Sequence, residues 1–327
     1  MHKQLPIWYF IVNDLQQNMP TMLLYVLESN GSSPGRQGFF MAVNAEGKIQ
    51  GSIGGGIMEH KFVELAKEML GAGGFVQKAD IRKQVHDKSA TKNQSGMICS
   101  GEQTILLYPV KQQDLGIIQK IVTCLEQHKN GTLVLTSNGI SFSASMPTAD
   151  YFFTQQSEND WLYQEKIGYK NHLYIIGAGH CALAFAELMY KMYFYIHLYD
   201  NRDELNTFQQ NSFVHEKTLI TDYSELKELI PSGNNHYVVI ITFGYRTDTI
   251  AIKALLQKQF KYMGVLGSSK KMEKLFADFK EEGIDENKFN HIHTPIGLQI
   301  KSETPEEIAV SIAAEIISIK NLSQQLH

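Results

Sequence analysis

From residue 172 onward, short apolar runs alternate regularly with amphipathic segments, and glycine closes the first junction between the two. The run at 172–176 passes through Gly177 and Gly179 into a helical pattern at 180–192, with Ala182 completing a G-x-G-x-x-A spacing. The next run, 194–199, ends on Asp200. Further strands are expected near 218–220, at 237–242 and at 262–266, with helices at 223–230, 248–259 and 269–281. A last helix opens on Thr304, Pro305, Glu306 and Glu307. There the threonine is placed to cap, proline loses nothing at a position whose N–H has no helical partner, and Glu307 closes a capping box. Ile308, Ile312, Ile316 and Ile319 then share one core-facing stripe. Parallel strands need a crossover rather than a tight turn, so this repetition predicts a doubly wound parallel sheet with helices on both faces.

The chemistry of the first junction sharpens that prediction to a Rossmann-like domain over 170–327. Gly177 permits a tight turn, and Gly179 lets backbone N–H groups approach a phosphate at a helix start, worth roughly 0.3–1 kcal/mol. Asp200 stands where such domains accept hydrogen bonds from a ribose diol, and Arg202 could pair with an acid or with a second phosphate. His180 lies within the glycine turn itself. The plain alternative is that these glycines only let a strand and a helix pack closely, since a fold by itself identifies no ligand. A second strand–glycine–helix junction, Gly267 and Ser268 ahead of Lys270 and Lys271, would close the far side of a crevice at the carboxyl ends of the strands.

The first half reads as a mixed α/β domain over 1–150, followed by a polar, aperiodic linker at 151–169. Strands are expected at 21–28 and 102–110, a hairpin at 39–53, helices at 57–70 and 115–127, and a short β pair near 132–143. Gly54, Gly55 and Gly56 follow the hairpin directly. Three glycines between a strand and a helix leave N–H groups free as an anion nest, and Glu59 in the first helical turn suits the dipole as a cap or as an acceptor for a ring N–H. Arg36, on a Pro/Gly loop at 32–38, is either a bidentate phosphate clamp or a solvated loop arginine. Cys99, flanked by small residues ahead of a strand, is either an inert core thiol or a nucleophile, persulfide carrier or soft metal ligand.

At 327 residues the chain is long enough for two domains, and 43% hydrophobic with 20% charged side chains is ordinary for a full core. A net charge of −4 lacks the basic excess that nucleic acid binding demands. Cys99, Cys124 and Cys181 form no CxxC pair, which argues against a disulfide framework and a zinc ribbon and fits a reducing cytoplasm. The longest apolar run, 238–243, is far short of the ~20 residues of a membrane span, so a soluble, cytoplasmic protein is expected. His291 and His293 lack a third ligand, and neither a Walker A motif, an HExxH motif nor a Ser-His-Asp order is present.

The order of these motifs resembles the XdhC/CoxI family of accessory factors for xanthine and carbon-monoxide dehydrogenases. The matching segments are 31–34, 41–43 with Gly47, 51–56 with Glu59, and 99–101; then 177–180, 200–202, 266–268, 292–298 and 304–309. The likeness runs over nearly the whole chain. It departs at Gly35, which intervenes before Arg36, at Ser100, where relatives carry glycine, and at 242–245, where aromatic residues replace histidines. The resemblance implies a chaperone that binds molybdenum cofactor, assists its sulfuration with a cysteine desulfurase, and inserts it into an apo molybdenum hydroxylase. It also places Cys99 in contact with molybdenum or its sulfur. On this reading the 54–56 nest and the 177–179 turn hold anionic groups of the pyranopterin, between the two domains. Catalytic residues and turnover are not expected, and a homodimer is left open. The rival is an NAD(P)-dependent oxidoreductase, which needs an acid/base beside the nicotinamide; His180 and His293 are poor candidates for it.

Overall fold

The computed structural model describes residues 2–71, 78–85 and 101–322. Cys99 therefore lies outside the described residues. The chain divides into two compact units, Met1–Gly168 and Tyr169–His327.

The first unit runs α1 (Leu5–Gln16), β1 (Thr21–Gly31), β2 (Phe40–Asn44), β3 (Ile49–Gly51), α2 (Gly56–Gly71), β4 (Asp80–Val85), β5 (Gly101–Pro109), α3 (Leu115–Glu126), β6 (Gly131–Thr136), β7 (Gly139–Ser143), β8 (Tyr151–Ser157) and β9 (Asp160–Ile167). It holds two antiparallel sheets, ordered β3-β2-β1-β5-β4 and β7-β6-β9-β8. The uninterrupted apolar run of β1 follows from its central place, because alternate side chains point to opposite faces and both faces are covered. Leu23, Tyr25 and Leu27 join a core with Trp8 and Ile11 of α1, Ile118 of α3, and Leu133 and Tyr163 of the second sheet. Met22, Leu24 and Val26 pack instead with Met58, Phe62 and Ala66 of α2.

Two readings of the sequence are corrected here. Residues 151–169 are not a linker: β8 and β9 form a hairpin, and β9 pairs along the length of β6. Their polar, aperiodic look reflects a strand that is exposed along most of its length, Tyr151–Ser157, beside one whose alternate residues are buried. Helix α1 was not expected either, although Trp8, Ile11 and Leu15 recur at helical spacing and all three are buried.

The second unit runs β10 (Asn171–Ile176), α4 (His180–Lys191), β11 (Phe194–Asp200), α5 (Asn206–Gln210), β12 (Glu216–Leu219), α6 (Leu226–Leu229), β13 (Gly233–Ile240), α7 (Tyr245–Leu255), β14 (Phe260–Val265), α8 (Ser269–Glu281) and α9 (Pro305–Leu322). All five strands are parallel, in the order β12-β11-β10-β13-β14. Beside β14, His293 bridges Gly264 in parallel, and the Ile296 N–H donates to Val265 O at 3.2 Å, extending the sheet by one position. Leu173 and Ile175 face α4 and α9 on one side, while Tyr174 and Ile176 face α7 and α8 on the other. The expected Rossmann-like doubly wound sheet is what forms. The capping box forms as expected too: Thr304 Oγ1 accepts from the Glu307 N–H, and Glu307 Oε2 accepts from the Thr304 N–H, both at 3.2 Å.

Candidate functional site

Strand order reverses between β10 and β13, so the loops leaving their carboxyl ends part and leave a crevice, the place where open α/β sheets hold ligands. Four loops border it. They carry Gly177 to His180, Asp200 to Arg202, Thr242 to Gly244, and Gly267 with Ser268.

The two glycines of the first loop are not equivalent. Gly177 has φ of +103°, and a Cβ there would collide with the backbone of Ile241 and Thr242, so its role is the close approach of two neighbouring strands. Gly179 has an ordinary φ of −72° and would meet nothing within 4 Å if it carried a side chain. It is the N-cap of α4, no side chain caps that helix, and His180 stands exposed at its first position. The helix therefore presents its first N–H groups to open space, with the partial positive charge that favours an anion.

Asp200 does not serve the role expected for it. It is fully buried, and its own chain takes both of its oxygens. Oδ2 accepts from the Ala178 N–H at 2.7 Å and from Arg202 Nη2 at 2.8 Å; Oδ1 accepts from the Arg202 N–H at 3.0 Å and Arg202 Nε at 2.8 Å. Four donors fill the sites of a carboxylate, leaving none for a ribose diol without breaking this arrangement. Of the two roles open to Arg202, the acid pairing is the one adopted. The guanidinium then lies 4.6 Å from the ring centre of Phe243, which is 64% exposed.

Beyond Thr242 the crevice wall contains an ion pair on a buried carboxylate that the sequence did not reveal. Asp248, fully buried in α7, accepts from Thr242 Oγ1 at 2.5 Å and pairs with Lys271 of α8. Burial raises its carboxyl pKa, opposed by the Lys271 and Thr242 hydrogen bonds. Lys271 is thus not simply a solvated lysine. Ser268 caps α8, its Oγ accepting from the Lys271 N–H, and Gly267 lies against Lys271 and Met272.

In the first unit, the glycine triplet also differs from expectation. Glu59 Oε2 accepts from Ser52 Oγ at 2.6 Å, the Ile53 N–H at 2.9 Å and the Gly55 N–H at 3.0 Å, while the Gly54 N–H donates to Ser52 Oγ. The nest is filled by the chain's own carboxylate. Gly54 (φ +131°) abuts Pro34 and Gly35, which brings this turn against the loop of Arg36. Gly56 (φ +70°) begins α2 and is exposed. Arg36 folds back, donating from Nη1 to Gly31 O at 2.8 Å, and remains exposed. Gln103, buried in β5, donates to Gly35 O at 3.0 Å and Ile53 O at 3.3 Å, tying the two loops together. Nothing in its local sequence marks Gln103 out except a polar side chain in an apolar strand. The glycine triplet and the Gly177 turn belong to different units.

Residues 173–316 match the model of the XdhC Rossmann domain, and residues 14–78 that of the XdhC and CoxI family, together more than half of the chain. This chain belongs to the XdhC and CoxI family. Among curated relatives of this XdhC-type chain, a probable xanthine dehydrogenase subunit from Bacillus subtilis is 23% identical over 327 residues, covering 94% of this chain and 95% of that one. An uncharacterized Escherichia coli protein, YqeB, is 25% identical over 311 residues; those cover 94% of this chain and only 44% of that protein's length. The crystal structure of a xanthine dehydrogenase from Bacillus halodurans superposes with a TM-score of 0.69, covering 96% of each chain. At 20% identity that likeness is one of fold. No helix among the described residues is long and apolar enough to cross a membrane, and none of their His, Cys, Asp and Glu groups is arranged to hold a metal ion.

Proposed function

We propose that this XdhC-type chain is a carrier for the pyranopterin molybdenum cofactor, handing it as cargo to a hydroxylase of the xanthine dehydrogenase type. Family membership supports the cargo class, and the names of the Bacillus relatives support the client class. The observation that carries the reading is the state of Asp200. The acid a dinucleotide-binding domain keeps for ribose is consumed by Ala178 and Arg202, whereas the uncapped start of α4 beside Gly179 is open to a phosphate. A pyranopterin offers a phosphate and needs no ribose acceptor; NAD needs both.

Within this reading the α4 N-terminus holds the phosphate, and the Thr242, Asp248 and Lys271 network stiffens the opposite wall. A cysteine desulfurase is the sulfur source. The cargo supplies the redox chemistry only once seated in the client. Paired titrations of the full chain with molybdenum cofactor and with NADH, followed by activation of an apo-hydroxylase, test the reading. Expected are binding of the cofactor, client activation, and loss of both in Gly179→Asp, whose carboxylate would face the bound phosphate. Tight NADH binding with turnover by the chain alone would overturn it.

A further inference from the structure

Two glycines on loops of the crevice, Gly179 and Gly244, are the N-caps of α4 and α7. Gly179 and Gly244 have φ of −72° and −166°, which any residue adopts. A Cβ would meet nothing within 4 Å at Gly179 and only Thr247 Oγ1, at an ordinary 3.8 Å, at Gly244. As bare caps, both leave their helix starts uncovered by a side chain of their own. Next to Gly244 in the same loop, Phe243 is an apolar ring left 64% exposed although burial of such a ring ordinarily stabilises a fold. Its neighbour Arg202 is pinned by three hydrogen bonds to the buried Asp200, two of them from the guanidinium, which therefore needs no ring to balance its charge. Gly177, in contact with Ile241 and Thr242, places the glycine turn directly beside this loop.

We propose that Phe243 is the stacking platform of the crevice: it takes the flat, conjugated face of the heterocycle of a phosphorylated ligand, while Arg202 fixes the ring's orientation and the α4 N-terminus takes the phosphate. The inference deepens the carrier reading and rests on it for the ligand class. Stacking of a heterocycle on an aromatic side chain is sequence-tolerant and strong enough to shift affinity about tenfold. The platform is thus the element that selects for a flat ring over a bare anion.

The test uses the full chain and three probes: a pterin monophosphate, AMP and inorganic phosphate. Phe243→Trp places a reporter in the crevice, since Trp8 and Trp161 are both buried in the first unit. Its emission is expected to be quenched saturably by the pterin monophosphate and not by inorganic phosphate. AMP quenching equally well would show a platform that reads flatness alone, still as proposed. Phe243→Leu is expected to bind the pterin monophosphate about tenfold more weakly, with its melting temperature unchanged. Equal affinity in Phe243→Leu, or no quenching by either ring compound, overturns the platform. Client activation by wild-type chain is scored separately: activation without a Phe243 effect sinks the platform alone, and quenching without activation sinks the carrier reading alone.

Discussion

Gly177 and Gly179 stand two positions apart in one turn and answer to different forces. The first has a left-handed φ and backbone against its Cα; the second has neither. Gly177→Ala is therefore expected to cost at least about 2 kcal/mol in urea unfolding, from strain and collision together. Gly179→Ala is expected to cost well under about 1 kcal/mol, the ordinary penalty of alanine at an N-cap. His2 supplies a pH-dependent counterpart. Its Nδ1 accepts from the Gln4 N–H at 3.4 Å and its Nε2 lies 3.2 Å from Gly168 O, an arrangement that fits the neutral ring and opposes a proton on Nδ1. Burial lowers its pKa from 6.5 to about 4. The unfolded chain then takes up the proton first, so stability holds above pH 6.5 and falls as pH drops from 6.5 towards 4. Across that window His2 accounts for about 3 kcal/mol, and His2→Gln should flatten this part of a stability–pH profile by that amount.

At the level of elements, local filling of a helix start distinguishes α2 from α4. In α2 the carboxylate of Glu59 occupies the N–H groups of the preceding turn; in α4 the cap is a bare glycine. The anion-nest reading of 54–56 thus gives way to a structural one, whereas no side chain of its own caps the helix start at Gly179. Glu59→Ala removes three hydrogen bonds to one charged oxygen and is expected to destabilise the first unit by about 2 kcal/mol, read by urea unfolding of the full chain. The acid after β11 divides in the same way. An aspartate at a strand end is legible in sequence, but its availability depends on Arg202 turning back and on the Ala178 N–H pointing at it.

For the whole molecule, each unit builds its own cores from residues of its own span. Both tryptophans belong to the first unit, so tryptophan emission reports that unit. Phe185, fully buried on α4, belongs to the second. Phe185→Ala is expected to cost the second unit about 3–5 kcal/mol and to appear in far-UV dichroism at lower denaturant than in tryptophan emission. Coincident transitions by both probes would show that the units unfold as one. Periodicity and the Thr304–Glu307 capping motif determined the parallel sheet of the second unit, its order of elements apart from the short α5, and the capped start of α9, because these follow from which residues are apolar and from contacts three or four positions apart. Hydrogen bonding between residues far apart in sequence was decided only by the tertiary structure. Gln103 reaches carbonyls 68 and 50 positions away, β9 pairs across 131–136, and Lys271 finds Asp248. A polar side chain reads the same in sequence whether its partner is a ligand or its own backbone, and only folding brings the competing donors within reach.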